Sequence, residues 1–449
     1  MRKVLIIAYY FPPLGWSGVQ RTLKFIKYLR NYNWEPIVVT VGESKFSIKD
    51  KSLFDEIPND IKVIRIDDIK LKDMTDDMIE KLKQQISLTT SILSDKIRAE
   101  YFDKIEEKFN EIRNLILIPD GNTIWANKVI RELYEYIDLQ EIDLIYTTSA
   151  PYSTHLIGYY LKNENNNIPW ITDFRDEWVN NACYMKADKN INYKIESYME
   201  AKIVEKCDKI ITTTPYATNN FIKRYKIDSG KVITITNGYD EEDFTDIQCH
   251  QYDKFTVIHN GTFYLDRSPV TFLIALNNLL EKKLIDKEKI QIIFVGENNQ
   301  NIMDEARKII NKYNILKEIE YSPHKESLKL LLGAHLLLLV VGECESQKSI
   351  YPGKVFEYLR ARKSILAISP HDSCVENLLI ETEAGVNNEY RDIRGLEKNI
   401  LSYYNRWSCN QKMEKMNDIS MYERKYLTKK LSDLFNEICI KNKRNNRGE

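Results

Sequence analysis

Two carboxylates and a guanidinium lie within four residues at positions 173–176 (DFRD), directly after a strand predicted at residues 170–172. Charged groups so close to a buried strand are costly unless they pair with one another or take part in chemistry. We therefore take Asp173, Arg175 and Asp176 as a candidate catalytic group. A buried ion pair that ties neighbouring loops together is the alternative interpretation.

Two glycine-containing segments could bring a backbone close to a ligand. Gly15 and Gly18 lie in a loop between the first predicted strand and the first predicted helix, and Gly261 follows a strand in the second half of the chain. Glycine permits close approach, and a helix N-terminus favours an anion. Neither segment has the spacing of a dinucleotide-binding or Walker loop, so a tight strand-to-helix turn is the alternative for the first one.

Polar side chains accompany the second glycine segment. Arg267 can donate two hydrogen bonds to one phosphate. Lys354 and Glu357 are three residues apart at the start of a predicted helix and share one face. A lysine there can meet a phosphate and a glutamate can accept both hydroxyls of a ribose, whereas a surface ion pair is the alternative. His155, at the start of an earlier helix, is a further candidate, placed with Gly15 and Gly18 on the side of the acceptor and the transferred sugar, although a lone histidine is more often structural.

The length and the charge of the chain limit its class. A chain of 449 residues is too long for one hydrophobic core, which predicts two domains. The 65 basic and 66 acidic side chains nearly cancel, so we expect no nucleic-acid partner. The seven cysteines are scattered and never spaced C-x-x-C, which indicates a reducing compartment rather than a zinc site or a disulfide framework. With no D-x-D or H-E-x-x-H motif either, we predict no bound metal.

No segment of the sequence predicts secretion or a membrane span. The apolar run near the N-terminus breaks at Pro12 and Pro13, where a signal peptide would continue. The longest apolar stretch, residues 330–342, is too short to cross a bilayer. We predict a cytoplasmic protein, with peripheral contact at the inner face of the membrane left open.

Alternating strand and helix patterns occur in two successive arrays, the second beginning at Phe255. Apolar runs such as residues 4–8 are typical of strands buried on both faces. The predicted fold class is therefore α/β, with two doubly wound Rossmann-like domains that face each other across a cleft. We place the domains at 1–245 and 246–425, followed by a C-terminal helix and basic tail at 426–449 that returns to the first domain. The charged segment at about 70–118 predicts a helical insertion, either simply solvated or docking a membrane or an acceptor.

Taken together, these segments resemble family 4 of the retaining, nucleotide-sugar-dependent glycosyltransferases, which have the GT-B fold. The resemblance extends over nearly the whole chain. It rests on residues 10–13 (YFPP) with Gly15 and Gly18, residues 169–176 (PWITDFRD), residues 237–240 (NGYD), Gly261 with Arg267, and residues 353–359 (GKVFEYL).

The resemblance implies a role for each domain. The second domain should bind the nucleotide sugar, with Glu357 on the ribose and with Arg267 and Lys354 where cations meet the diphosphate. The first domain should bind the acceptor, which could be a saccharide, a lipid-linked sugar or a protein, and the loop with Gly15 and Gly18 should lie near the transferred sugar. The resemblance also implies transfer with retention, with no cofactor beyond the nucleotide-sugar co-substrate, by default in the synthesis of a bacterial surface polysaccharide or glycoconjugate.

The sequence departs from the family pattern at two places. The first glutamate of the E-x7-E pattern would stand at position 349, where this chain has Ser349, and Arg175 or its neighbours occupy the strand end where many members have a histidine. We therefore assign Asp173, Arg175 and Asp176 to the acceptor side. Two alternatives stay open: a nucleotide-sugar 2-epimerase, and a partner subunit that binds a nucleotide sugar without turnover.

Overall fold

The structure is a computed structural model of the chain. It describes residues 1–15, 17–42, 50, 53–68, 80, 103–104, 106–108, 117–181, 191–320, 322–411 and 415–447. Most of the predicted helical insertion at about 70–118 lies outside these residues, so both the insertion and its two alternative roles stay predictions.

The chain divides into two compact units. The first comprises Met1–Thr212, Phe221–Ile233 and Leu431–Glu449, and the second comprises Thr213–Asn220 and Thr234–Lys430. Each unit contains one sheet that is flanked by helices. The α/β class expected from the alternating patterns is therefore confirmed, while the functions expected of the two domains stay predictions.

Seven strands form the sheet of the first unit. They are β1 (Arg2–Ile7), β2 (Trp34–Val41), β3 (Lys62–Ile66), β4 (Leu144–Ser149), β5 (Trp170–Phe174), β6 (Lys209–Thr212) and β7 (Val232–Thr234). Their order in the sheet is β3-β2-β1-β4-β5-β6-β7, and the pairs from β3 to β6 are parallel. Chain order reverses direction between β1 and β4, which makes this pair the topological switch point, where such sheets bind ligands beyond the carboxyl ends of their strands.

Among the described residues, the helices before the second sheet are α1 (Ser17–Leu29), α2 (Thr123–Tyr136), α3 (Ser153–Glu164), α4 (Ile191–Lys206) and α5 (Pro215–Tyr225). The last helix of the chain, α12 (Arg424–Arg447), brings Phe435 against Trp34 of the first unit, with ring centroids 5.2 Å apart. None of the described helices has the length and the apolar character needed to cross a membrane.

Six strands form the sheet of the second unit: β8 (Phe255–Asn260), β9 (Ile290–Val295), β10 (Leu316–Ile319), β11 (Leu336–Val340), β12 (Ser364–Ile368) and β13 (Gly385–Asn388). Their order is β10-β9-β8-β11-β12-β13, and every neighbouring pair is parallel. The switch point lies between β8 and β11. The helices are α6 (Val270–Glu281), α7 (Gln300–Ile310), α8 (His324–Gly333), α9 (Lys354–Ala361), α10 (Cys374–Thr382) and α11 (Ile393–Ser408).

Successive side chains of the second sheet enter two different cores. Val257 and Leu338 pack in one cluster with residues of α6 and α11, whereas Ile258 and Leu337 pack in another with residues of α9 and α10. A strand buried on both faces cannot show an alternation of apolar and polar residues, and this explains the continuous apolar runs in the sequence.

One strand is longer than the sequence pattern indicated. The run at 170–172 continues as β5 to Phe174, so Asp173 lies inside the sheet, in register with Thr148 of β4 and Ile211 of β6. The carboxylate is therefore enclosed by neighbouring strands, and the loop toward the carboxyl edge begins only at Arg175. Helix α2 is a further difference, since no sequence pattern predicts it.

Candidate functional site

A glycine turn follows β8 at the switch point of the second sheet. Gly261 has a φ of 133°, and its N–H donates to the carbonyl of Val295 over 2.7 Å. A Cβ at this position would lie 2.3 Å from Nζ of Lys354. Both the backbone conformation and the close approach therefore require glycine here.

The Lys354 side chain reaches this turn from the first residue of α9. Its Nζ lies 3.1 Å from Nε2 of His259, the fifth residue of β8. Burial, together with the positive charge of Arg267, lowers the pKa of Lys354 to about 7. Burial also holds the pKa of His259 well below its usual value, so the ring is neutral.

Arg267 lies in the loop after Gly261. Its Nη2 donates to Oε1 of Gln347 over 3.0 Å, and its guanidinium lies 4.9 Å from the centroid of the Tyr264 ring. Within the part of the chain that the structure describes, neither Arg267 nor Lys354 forms an ion pair with a carboxylate. Two cations with only neutral side-chain partners make this edge of the sheet a suitable place for an anionic ligand.

Glu357 is one turn further along α9. Its Oε1 lies 2.9 Å from Nε2 of His324, the first residue of α8, and the two side chains are 24% and 20% exposed. Because both stay partly accessible, the carboxylate can reach a ligand at the edge where β8, β10 and β11 end. The partner of Glu357 is thus His324 from another helix. In a simple i,i+3 ion pair, Glu357 would instead have paired with Lys354.

The position that the family pattern would give to its first glutamate holds a buried serine. Ser349 donates through Oγ to the carbonyl of Ser346 over 3.0 Å, and its own carbonyl accepts from Oγ1 of Thr214 over 2.7 Å. Ser349 is therefore part of the packing beneath the segment that leads into α9.

The first sheet has an equivalent edge where β1 and β4 end. Arg175 donates through Nη2 to the carbonyl of Ala150 over 2.6 Å, and its other nitrogens donate to the carbonyls of Gly18 and Ser149. A Cβ at Gly18 would lie 2.9 Å from Nη1 of Arg175. The structure thus brings Gly18 and Arg175 together. Gly18, which was predicted in the loop, is the second residue of α1, because the helix already begins at Ser17, whereas partly buried Gly15 lies in the loop before it. Burial lowers the pKa of Arg175.

Asp173 is fully buried, and both oxygens of its carboxylate accept hydrogen bonds from other residues of the first unit. Its two oxygens accept from Arg21, over 2.9 Å from Nε and 2.8 Å from Nη2, and Oδ2 also accepts from Oγ1 of Thr148 over 2.9 Å. Burial raises the pKa of Asp173, but Arg21 and the hydrogen bonds more than offset this, so the pKa lies below its usual value. Asp176, in contrast, is exposed.

His155 lies in the interior of the first unit, in the first turn of α3. Its Nδ1 is 2.8 Å from Oγ1 of Thr147, and its ring centroid is 4.5 Å from that of Phe174. Burial lowers the pKa of His155 to about 3, so the ring is neutral at physiological pH. Its predicted place beside the sugar stays a prediction.

Four polar residues of these edges were not singled out from the sequence: Arg21, His259, His324 and Gln347. Each is distant in sequence from the group that it contacts, so no local spacing marks it. Two of them could have been found from their position relative to the strands, because His259 is the next-to-last residue of β8 and His324 is the first residue of the helix after β10.

Comparisons with known proteins support the assignment of the fold. Residues 90–243 match the family described as Glycosyltransferase Family 4, about a third of the chain. A glycosyltransferase from Rickettsia africae has a TM-score of 0.58 at 14% identity, with 97% of this chain and 98% of that chain covered. Sucrose-phosphate synthase from Thermosynechococcus elongatus has a TM-score of 0.60 at 12% identity, with 98% and 99% covered.

A third similar structure is Alr3699/HepE from Anabaena, solved in complex with UDP and glucose. Its TM-score is 0.58 at 12% identity, with 97% of this chain and 100% of that chain covered. A search of curated proteins finds no significant match. The chain therefore has the GT-B fold, and the family match and these neighbours together support a glycosyltransferase-type function.

Proposed function

We propose that this protein transfers a sugar from a nucleotide-sugar donor to a hydroxyl group of an acceptor. The main support is the edge of the second sheet, where the Gly261 turn adjoins Lys354 and where neither Lys354 nor Arg267 has a carboxylate partner among the described residues. A diphosphate would give these two cations a negatively charged partner. Glu357, on the adjacent turn of α9, can accept hydrogen bonds from the hydroxyls of a ribose.

In this proposal the catalysis of sugar transfer is largely electrostatic. Negative charge develops on the diphosphate as the glycosidic bond breaks, and Lys354, Arg267 and the N-terminus of α9 stabilise that charge. The sugar passes through an oxocarbenium-like state, and the acceptor hydroxyl attacks from the face that the diphosphate leaves, which retains the configuration. The hydroxyl proton passes to the departing diphosphate oxygen on the same face. We predict that no metal ion is needed for this step.

The first unit would bind the acceptor. Arg175 links Gly18, at the start of α1, to the carbonyls of Ser149 and Ala150 at the end of β4, and exposed Asp176 is next to it. Asp173 would act indirectly, because its carboxylate holds Arg21. A saccharide, a lipid-linked sugar or a protein would each offer the hydroxyl required, and bacterial surface polysaccharide or glycoconjugate synthesis is the setting that we propose.

The donor side is tested by thermal unfolding with UDP-, GDP-, ADP-, CMP- and dTDP-sugars in the absence of metal. A ligand at 100 times its Kd stabilises the folded protein by about 2.7 kcal/mol. We expect one nucleotide to stabilise the wild type but not Glu357→Ala. Glu318→Ala, which removes a carboxylate paired with Arg307 on the surface of the same unit, is the matched control and should respond like the wild type. A panel that stabilises neither the wild type nor the control would contradict the proposal.

The acceptor side is tested with Asp176→Asn. We expect turnover to fall at least about tenfold, since lost transition-state contacts cost 1.36 kcal/mol per factor of ten. Asp228→Asn, an exposed carboxylate that accepts from the N–H of Gly230, is the control. Turnover within about threefold of wild type in Asp176→Asn would remove this residue from the acceptor site.

Analysis of the products separates transfer from the two other functions considered. An epimerase would interconvert the donor sugar with no acceptor present. A non-catalytic subunit would bind the nucleotide sugar and transfer it to no acceptor extract. Transfer that depends on an acceptor and conserves the anomeric configuration is the outcome that we expect.

A further inference from the structure

His259 contacts Lys354 with a defined tautomer. Its Nδ1 lies 2.9 Å from the carbonyl oxygen of Leu338, and its Nε2 lies 3.1 Å from Nζ of Lys354. A carbonyl oxygen can only accept, so Nδ1 must hold the proton of the neutral ring. Nε2 therefore presents a lone pair, and the Lys354 amino group donates to it.

The imidazole ring is held in place by aromatic neighbours. It stacks on Phe263 with centroids 4.0 Å apart and an interplanar angle of 16°, and it meets Phe294 edge-on at 6.3 Å. His259 is only 1% exposed. Rotation of the ring would break both the hydrogen bond to Leu338 and the stacking on Phe263, so Nε2 is an acceptor in a fixed position.

This acceptor determines where the Lys354 ammonium lies. Among the described residues, His259 is the hydrogen-bond partner of Nζ, and the ammonium has three donors in all. Nζ lies against Gly261, within 2.3 Å of the point that a Cβ would occupy. The charge is thus held beside the backbone turn while two of its donors stay available to a ligand.

We propose that His259 is a positioning residue for donor binding, whose Nε2 lone pair holds the Lys354 ammonium beside Gly261, where it meets the diphosphate of the nucleotide sugar. The inference rests on the proposed function, since that function supplies the diphosphate. His259 touches Lys354 rather than the ligand, so its effect is transmitted through the lysine.

The electrostatics of the site give this role a pH signature. The ionisable groups around Lys354 are His259, Arg267 and Glu357, and burial with Arg267 lowers the pKa of Lys354 to about 7. A diphosphate prefers the charged ammonium, so affinity should fall as the pH rises through 7. Since burial keeps the pKa of His259 well below 6.5, its own charge does not change in this range.

The experiment measures the affinity for UDP-glucose, GDP-mannose and ADP-glucose by calorimetry at pH 6.5 and 8.5. His259→Phe keeps the aromatic stacking but removes the acceptor, and we expect at least about tenfold weaker binding at pH 6.5. His259→Gln restores an acceptor near the position of Nε2 and should recover most of the loss. His335→Phe is the matched control, because His335 accepts from the N–H of Thr256 away from this site, and it should bind within about twofold of wild type.

Binding by His259→Phe within about twofold of wild type, with the same pH dependence, would overturn the role of His259. A wild type that binds none of the three nucleotide sugars would instead overturn the donor proposal. In that case competitive acylation of Lys354, read by mass spectrometry, still tests the contact. Loss of the acceptor in His259→Phe should lower the apparent pKa of Lys354, and an unchanged titration overturns the inference.

Discussion

The carboxyl edge of the first sheet, at β1 and β4, and that of the second sheet, at β8 and β11, are built from the same kinds of residue. Each has a glycine in the loop after its first strand, cations and a carboxylate. The two edges differ in what neutralises the charges. In the first unit Asp173 forms a buried ion pair with Arg21, and Arg175 is surrounded by three backbone carbonyls.

In the second unit the partners of the cations are uncharged. Lys354 contacts the neutral ring of His259, and Arg267 contacts the amide oxygen of Gln347. A pair of opposite charges in the protein fixes loops and leaves little for a ligand, whereas cations with neutral partners gain most from an anion that arrives. The residue types alone would not separate these two cases, because the difference lies in the neighbours.

The largest expected effect tests whether the first edge is structural. Arg21→Met removes the hydrogen-bonded counter-charge of the buried Asp173 carboxylate, and the free energy of unfolding should fall by about 3–5 kcal/mol. Urea unfolding measures it. The double variant Arg21→Met/Asp173→Leu should recover part of the loss, since it removes both charges. A loss below about 1 kcal/mol in the single variant would show that the pair contributes little.

The next effect tests whether the second edge is functional. Lys354→Met should weaken nucleotide-sugar binding about 100-fold, or about 2.7 kcal/mol, because a desolvated cation that faces the diphosphate is lost. Its free energy of unfolding should stay the same or rise, since burial of an ammonium is unfavourable. Lys348→Met, which removes a surface partner of Glu345, is the control. If Lys354→Met were less stable than the wild type and bound nucleotide sugars with unchanged affinity, Lys354 would be a structural residue and the comparison of the two edges would be reversed.

A third test uses acid. The pKa of His155 is about 3 in the folded protein against 6.5 for a free histidine, so the unfolded chain binds an extra proton between these values. Stability should therefore be lost as the pH falls from 6.5, by about 2 kcal/mol at pH 5. His155→Asn should remove this part of the slope.

The control for the acid test is His371→Asn. His371 is exposed and the Glu376 carboxylate raises its pKa, so its removal cannot diminish a loss of stability in acid. The free energy of unfolding is measured at pH 5 and at pH 6.5. If it changes by the same amount in the wild type and in His155→Asn, a neutral ring is not buried at this position.

The smallest expected effect comes from a variant that neutralises a cation of the second edge within the protein, as the first edge does. Gln347→Glu places a carboxylate against Arg267, and nucleotide-sugar binding should weaken about tenfold, or about 1.4 kcal/mol, because the cation is then neutralised within the protein. Gln347→Leu should weaken binding less, since only a neutral partner is lost. Calorimetry distinguishes the two, and equal affinities for Gln347→Glu and the wild type would show that Arg267 does not meet the donor.

Much of the fold was predictable because it depends on local patterns. Apolar runs predicted strands buried on both faces, and helical spacing between them predicted parallel sheets. Residues 170–172 were predicted as a strand that in the structure continues to Phe174, since pairing with β4 and β6 extends it beyond the apolar run. A run of hydrophobic residues indicates that a strand exists, but its neighbours decide where it ends.

The sequence by itself determined the chemical types available and the edge of each sheet to which they belong. Gly261, Lys354 and Glu357 follow from strand and helix ends, because all strands of a parallel sheet end at one edge. Only the tertiary structure decided the partners: Arg21 for Asp173, 152 residues away, and His259 for Lys354, 95 residues away. Those partners set the burial and the pKa of each charged side chain. They therefore decide whether that charge stabilises the fold or stays available to a ligand.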